Sequence, residues 1–233
     1  MKIDPDMNIA VIVAAGSSQR FGAEKPKQFL EILGKPIIVH TLLRFESCPA
    51  IDEIILVLPA ERLENFAEIA ERHCIKKLHK IIAGGETRAE SVLNGFNSIE
   101  QSNVEVVAVH DGARPLVSVD EITEVVAKAK QTGGACLVLS VTDTIKEVAG
   151  GKITKTIDRR CLKRALTPQA FRYEILKRAF AENSVDENAT DECFLVEKLG
   201  FEIAFVEGSA KNIKITYPED QIIAEFFLRA TET

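Results

Sequence analysis

A loop of small and basic residues, AAGSSQRFGAEKPKQF (Ala14–Phe29), follows the first apolar run of the chain. A glycine just after a strand, with small and polar residues behind it, suits anion binding by backbone N–H groups. The loop does not match the dinucleotide fingerprint, because positions 18 and 21 are Ser18 and Phe21 where that pattern needs glycine. Nor does it match a P-loop, since Phe21, Gly22 and Ala23 stand where Gly-Lys-Ser/Thr is required. What remains is a loop whose cations include Arg20 and Lys27, the second stiffened by Pro26. An arginine and a lysine on one such loop suit a triphosphate, whose many oxygens need charged donors.

Three further groups bear on chemistry. His110-Asp111-Gly112-Ala113-Arg114-Pro115 closes a strand pattern. Asp111 there could bind Mg²⁺ directly or through water, or accept a hydrogen bond from a substrate hydroxyl. Arg114 suits a substrate phosphate, or the two form a structural ion pair. His110 reads as a packing residue at the strand end. Lys214 lies between Ile213 and Ile215. Burying an unpaired lysine is costly, so it needs an anionic partner unless it sits on an edge. The five cysteines (Cys48, Cys74, Cys136, Cys161, Cys193) form no C-x-x-C pair, and the four histidines have no metal-ligand spacing. Reduced thiols in the cytoplasm are the expectation.

The elements that must hold these residues follow from periodicity. Asn8–Ala14, Asp52–Leu58, Lys80–Ala83, Val104–His110 and Ala135–Val141 read as buried strands, with Phe201–Val206 and Asn212–Thr216 as later ones. Helical spacing covers a run opened by Pro36 at its first turn, then Ala60–His73, Thr87–Glu100, Ser118–Gln131, Tyr173–Glu182, Asp191–Leu199 and Glu219–Ala230. Ser118 with Glu121 spells a capping box. The β-α alternation predicts an α/β, Rossmann-like fold: a mostly parallel sheet with helices on both faces. Ligands in such sheets bind at the carboxyl ends of strands, where strand order switches. Between Val141 and Arg159, two β-rich legs flank Ala149-Gly150-Gly151 without a strong apolar face, which predicts a hairpin leaving the core. The 233 residues are therefore read as one domain, 1–233, with a projecting arm at about 142–163.

Composition narrows the class. The chain is 46% hydrophobic and 27% charged, a globular balance that excludes collagen, coiled coil and disorder. A net charge of −6 argues against a nucleic-acid binder. The longest apolar runs fall far short of the ~20 residues that span a bilayer, and the start lacks the apolar core of a signal peptide.

The Ala14–Phe29 loop resembles the signature of nucleotidyltransferases that attach a nucleoside monophosphate to a phosphorylated metabolite. GGETRAESV (Gly84–Val92), HDGARP (His110–Pro115), DTIK (Asp143–Lys146), ALTPQAF (Ala165–Phe171), ATDE (Ala189–Glu192) and NIKIT with PED (Asn212–Asp220) extend the likeness over nearly the whole chain. Together they resemble the 2-C-methyl-D-erythritol 4-phosphate cytidylyltransferases of the non-mevalonate isoprenoid pathway. Ser18 departs from the glycine many relatives carry. The resemblance implies CMP transfer from CTP to a sugar-alcohol phosphate, with Mg²⁺ as cofactor. It implies that Ala14, Ala15 and Gly16 line the nucleotide site, that Arg20 and Lys27 contact the triphosphate, and that Gly85, Glu86 and Ser91 read the cytosine. Lys214 is implied at the phosphates, with Arg20 and Lys27 as the other catalytic cations. Thr190 is implied at the nucleotide or substrate, although it could simply cap the helix that follows. Thr144, Arg159 and Thr167 are implied to complete the neighbouring subunit's site in a homodimer. Ribitol 5-phosphate as acceptor, or a CTP-binding protein without catalysis, are the alternatives to that reading.

Overall fold

In the computed structural model, residues 6–16, 26–184 and 189–231 are described below. The main-sheet strands are β1 (Met7–Val13), β4 (Glu53–Leu58), β5 (Leu78–Ala83), β6 (Val104–Asp111), β7 (Gly134–Ser140), β10 (Lys163–Arg172) and β11 (Ala204–Glu207). Two small hairpins supply β2 (Glu31–Ile32) with β3 (Lys35–Pro36), and β8 (Ile145–Ala149) with β9 (Lys152–Ile157). The helices are α1 (Ile37–Glu46), α2 (Leu63–Arg72), α3 (Arg88–Asn97), α4 (Val119–Thr132), α5 (Tyr173–Glu182), α6 (Glu192–Glu197) and α7 (Pro218–Thr231).

The seven strands lie in the order β11-β7-β10-β6-β1-β4-β5. Only β10 runs antiparallel to its neighbours; the other four pairings are parallel. Alternation along each strand explains the two-sided burial. Ala10 and Ile12 of β1, Ile54 and Leu56 of β4, and Val106 and Ala108 of β6 face a core shared with α1, α2 and α4. Their neighbours Ile9, Val11, Ile55, Val57, Val107 and Val109 face the opposite core, shared with α3, α5 and α6. A third cluster seats α7, through Ala224 and Leu228, on Ile32, Ile37, Leu116 and Ile215.

The chain leaves β1 toward β4 and β5 on one side, then returns to place β6 on the other. That reversal puts the switch point at the carboxyl ends of β1, β4 and β6, where an α/β sheet opens a crevice. The expected capping box is present: Ser118 Oγ accepts from Glu121 N while the Glu121 carboxylate accepts from Ser118 N. Thr87 and Glu90 form a second at α3.

Four expectations need correction. Pro36 stands at the N-cap of α1 rather than in its first turn. Asn212–Thr216 is no strand: it is irregular chain, tied to the β6 turn by Ile215 N donating to Ala113 O at 2.9 Å. The cap of α6 is Asp191, whose side chain accepts from Phe194 N, and not Thr190. Finally, β10 fills the sheet where no strand was expected. Its Pro168 sits in the break between Ala165 and Gln169, where pairing with β7 lapses; a proline is tolerated in a strand at such an irregularity. The expected hairpin arm is β8–β9, with Gly150 and Gly151 at positive φ in its turn, and it forms a sheet of its own.

Candidate functional site

A cleft of about 820 Å³ opens at the switch point. Its walls include Ala14, Ala15 and Gly16 after β1, Lys27 and Gln28, Gly84 through Arg88 with Ser91 after β5, Asp111 at the end of β6, and Lys214.

The turns are shaped to stay close. A Cβ on Gly84 would stand 2.3 Å from Ala15 Cβ and 2.7 Å from Ser91 Oγ, so only glycine lets the β5 turn approach the β1 turn. Ser91 Oγ accepts from Gly85 N (3.1 Å) and donates to Thr87 O (2.9 Å), which fixes that turn. Gln28 is buried, and its amide nitrogen donates to the carbonyls of Ala14 and Gly16. This staple ties Gln28, the neighbour of Lys27, to the β1 turn at both Ala14 and Gly16.

The floor is a charge cluster around Asp111, which is 6% exposed. Its Oδ1 accepts from Arg88 Nε at 3.0 Å. Its Oδ2 takes Lys214 Nζ at 2.9 Å and Arg114 Nε at 3.3 Å. Burial alone raises a carboxyl's pKa, but Arg88, Lys214 and Arg114 outweigh it and hold Asp111 well below its ordinary value. Arg88 also forks onto Glu192, with Nη1–Oε1 2.8 Å and Nη2–Oε2 3.2 Å. Burial opposes the Arg88 charge, yet Glu192 and Asp111 raise its pKa above the usual arginine value. The cluster leaves both guanidinium groups and Lys214 beside one fully engaged carboxylate.

Behind Asp111 lies an uncharged chain. Asp111 N donates to Thr167 Oγ1 (3.1 Å), Thr167 Oγ1 lies 3.0 Å from His110 Nδ1, and His110 Nε2 lies 3.3 Å from Arg114 O. A carbonyl can only accept, so Nε2 carries the proton and Nδ1 accepts from the threonine hydroxyl. Burial pushes His110 down to about 3, so it is neutral at working pH and is no general base. The unfolded chain binds a proton near the ordinary value of 6.5 and the native chain only near 3, so this contribution is complete above 6.5 and is lost as pH falls through that window. At 1.36 kcal/mol per pH unit, acidification from 6.5 to 5 should remove about 2 kcal/mol of unfolding free energy. Urea midpoints for wild type and His110→Asn at both pH values test this; an equal drop in the two proteins would exclude His110 as the source.

The structure gathers Ala14, Ala15, Gly16, Lys27, Gly85, Glu86, Ser91, Asp111 and Lys214 around the one cleft. Arg114 is not brought to it: it lies behind Asp111, 8% exposed, with Nη1 donating to Asn212 O at 2.9 Å. Thr167 is also buried, bonded to its own chain's His110 and Asp111 rather than presented to a neighbour. Thr190 is exposed just ahead of α6. Thr144 and Arg159 are exposed on the arm, where Arg159 Nη1 donates to Thr142 O. Arg20 and Ser18 lie outside the described residues. Lys214 has the anionic partner its apolar neighbours called for, Asp111. The expectation missed Arg88, Glu192 and Gln28. All three sit inside quoted motifs, but an arginine or glutamate at a helix start reads as a surface residue. The thiols stay out of this chemistry: a hydrogen bond with Cys136, then burial, push Cys193 up, and none of the five cysteines is in a disulfide.

The cleft offers Mg²⁺ few hard protein ligands. Among the described residues no group of three or more His, Cys, Asp or Glu side chains could hold a metal. Asp111, the carboxylate expected to bind it, has both oxygens on cations and does not fit as a direct ligand.

The comparisons with known proteins agree with one another. The sequence profile of the 2-C-methyl-D-erythritol 4-phosphate cytidylyltransferase (IspD) family matches residues 8–230. A 2-C-methyl-D-erythritol 4-phosphate cytidylyltransferase of Syntrophus aciditrophicus is 40% identical over 227 residues, covering 96% of this chain and 97% of its own. The bifunctional enzyme IspD/IspF of Desulfotalea psychrophila is 44% identical over 223 residues, and the match spans 95% of this chain and 57% of the relative's length. Among solved structures, the 4-diphosphocytidyl-2C-methyl-D-erythritol synthase of Anaerococcus prevotii superposes with a TM-score of 0.83 at 26% identity, covering 96% of this chain and 99% of that one.

Proposed function

Because the chain belongs to the 2-C-methyl-D-erythritol 4-phosphate cytidylyltransferase family, we propose a division of labour for its cleft. The enzyme is a nucleotidyltransferase that moves CMP from CTP to 2-C-methyl-D-erythritol 4-phosphate. Pyrophosphate leaves and 4-diphosphocytidyl-2-C-methyl-D-erythritol forms, an intermediate of isoprenoid precursor synthesis. The observation that supports this assignment within the site is the placement of Lys27 and Lys214 on one cleft whose other walls are the β1 and β5 turns.

A phosphate oxygen of the acceptor attacks the α-phosphorus in line. With a second pKa near ~6 that phosphate is already ionised at neutral pH, so no general base is needed. This suits a site whose one histidine is buried and neutral. Rate enhancement rests on holding two polyanions in line and meeting the charge on the α-phosphoryl oxygens. Lys27, Lys214 and Arg20 are the cations proposed for that task. The β1 turn and Gly85, Glu86 and Ser91 are proposed to hold the nucleotide and its base. Ser91 acts there by shaping the Gly85 turn, since its hydroxyl is already engaged. Arg114 and Thr167 are proposed as supports of Asp111 rather than as substrate ligands.

Mg²⁺ is proposed to arrive on the triphosphate. It keeps several waters and binds phosphate oxygens readily, so it needs no protein cage. Excess EDTA should lower pyrophosphate release at least ~10-fold, with Mg²⁺ restoring it; Lys27 and Lys214 remain to give a residual rate. Undiminished release in EDTA would show that the chain's own cations suffice.

We place the enzyme in the cytoplasm, on its unpaired cysteines, and assign it no nucleic-acid partner, on its net charge of −6. No helix among the described residues is long and apolar enough to cross a membrane. The exposed arm supports a homodimer with shared sites. Pyrophosphate release from CTP with 2-C-methyl-D-erythritol 4-phosphate or with ribitol 5-phosphate tests the acceptor. Release should be at least ~10²-fold faster with the first, a gap that discrimination at a charged, hydrogen-bonding site permits. Equal rates would break the assignment.

A further inference from the structure

We propose that Glu192 is a positioning residue for the transfer reaction, acting through Arg88 to divide Asp111 between Arg88 and Lys214 and so hold the Lys214 ammonium in the cleft. The inference rests on the reading of Lys214 as a cation of the site.

Glu192 is 2% exposed. Both of its oxygens are on Arg88, at 2.8 and 3.2 Å. Arg88 is the first residue of α3, directly after the capping Thr87. A cation there faces the positive end of the helix, which helix stability alone disfavours. Glu192 and Asp111 together reverse that preference. The pair links residues 104 apart in sequence and joins the β5–α3 turn, the end of β6 and the start of α6.

The geometry sets what the link does. A guanidinium fork prefers to grip a carboxylate with two parallel N–H bonds. Arg88 spends its fork on Glu192 and offers Asp111 only Nε, on Oδ1. Oδ2 is thereby left to Lys214 at 2.9 Å and Arg114 at 3.3 Å. Arg114 is further fixed by Asn212 O and does not line the cleft, so the cation whose place depends on the sharing is Lys214. Without the Glu192 charge, Arg88 turns its fork onto Asp111 and competes with Lys214 for it.

The test is a cycle read in turnover. Glu192→Gln should lower kcat about 10-fold or more in the wild-type background, and no more than about 2-fold in a Lys214→Ala background, where the positioned cation is already gone. A structural role alone gives the same factor in both. Should Glu192→Gln fail to fold, Arg88→Met with Glu192→Met removes the buried pair as a unit, a replacement that folded proteins commonly accept. With the competing fork gone as well, Lys214 keeps Asp111 Oδ2, so this double variant should melt normally and hold kcat within about 3-fold of wild type. Wild-type kcat in folded Glu192→Gln, a loss of about 10-fold or more in the folded double variant, or equal factors for Glu192→Gln in both backgrounds with Lys214→Ala impaired, overturns the inference alone. Normal turnover in Lys214→Ala overturns the site reading beneath it.

Discussion

Replacing Lys27 with alanine should lower kcat by at least ~10²-fold, the cost of removing a preorganised donor that meets developing charge, while the melting temperature stays within a few degrees of wild type. Lys27 opens a short 3-10 turn (Lys27–Phe29) on the cleft wall. Its position is set by its neighbour, since the Gln28 staple to Ala14 and Gly16 belongs to the next side chain and survives the substitution. The variant therefore removes a charge and leaves the turn. Phe29 still packs on the core, its ring 6.3 Å from that of Phe66. Circular dichroism and thermal melts establish folding; steady-state pyrophosphate release at saturating CTP and acceptor gives kcat. A kcat within a factor of about two of wild type would remove Lys27 from the chemistry.

The sequence located this cleft because its walls are strand ends. Ala14–Gly16, Gly84–Gly85 and Asp111 each follow an apolar run, and a mostly parallel sheet collects such ends on one side. The cores were legible for the same reason: β1, β4 and β6 are continuous apolar stretches with both faces covered. β10 was not, because KRALTPQAFR begins with charges and carries a proline, the marks of a loop. Its second half is nevertheless sealed between β6 and β7, with Gln169 opposite both Val109 and Cys136. Asn212–Thr216 fails in the opposite sense. Its alternation says strand, but among the described residues its one backbone–backbone bond to the β6 turn is Ile215 N to Ala113 O, and Ile215 packs under α7 instead.

The charge cluster was legible only in part. Lys214 between two isoleucines demanded an anion, and Asp111 meets the demand. HDGARP reads equally as a phosphate site or an ion pair, and the structure forms the pair, with Arg114 Nε 3.3 Å from Asp111 Oδ2. The Arg88–Glu192 fork is a contact between two helix starts. No local rule of spacing or periodicity connects them, so it emerges only when α3 and α6 pack on the same face of the sheet.

Mixing two inactive variants should restore activity if the arm reaches a neighbour. Among the described residues the β8–β9 hairpin pairs with no other strand, and Val148 and Ile153, opposite one another in its register, are 66% and 67% exposed. A lone two-stranded hairpin is marginal in water, and its edges invite pairing. A twofold partner would cover both, and it would present Arg159, exposed at the arm's base, to the second subunit. Thr167 is buried, with Oγ1 accepting from its own chain's Asp111 N. Take Lys27→Ala and Arg159→Ala, each nearly inactive alone, and allow subunits to exchange. In a mixed dimer with shared sites, one site carries both defects and the other carries neither. Random exchange makes about half the dimers mixed, so roughly a quarter of wild-type activity should return. If Arg159 serves its own subunit, every site keeps one defect and the mixture stays as inactive as its parts. Native mass spectrometry counts the mixed dimers. Their presence without recovered pyrophosphate release would confine Arg159 to its own chain.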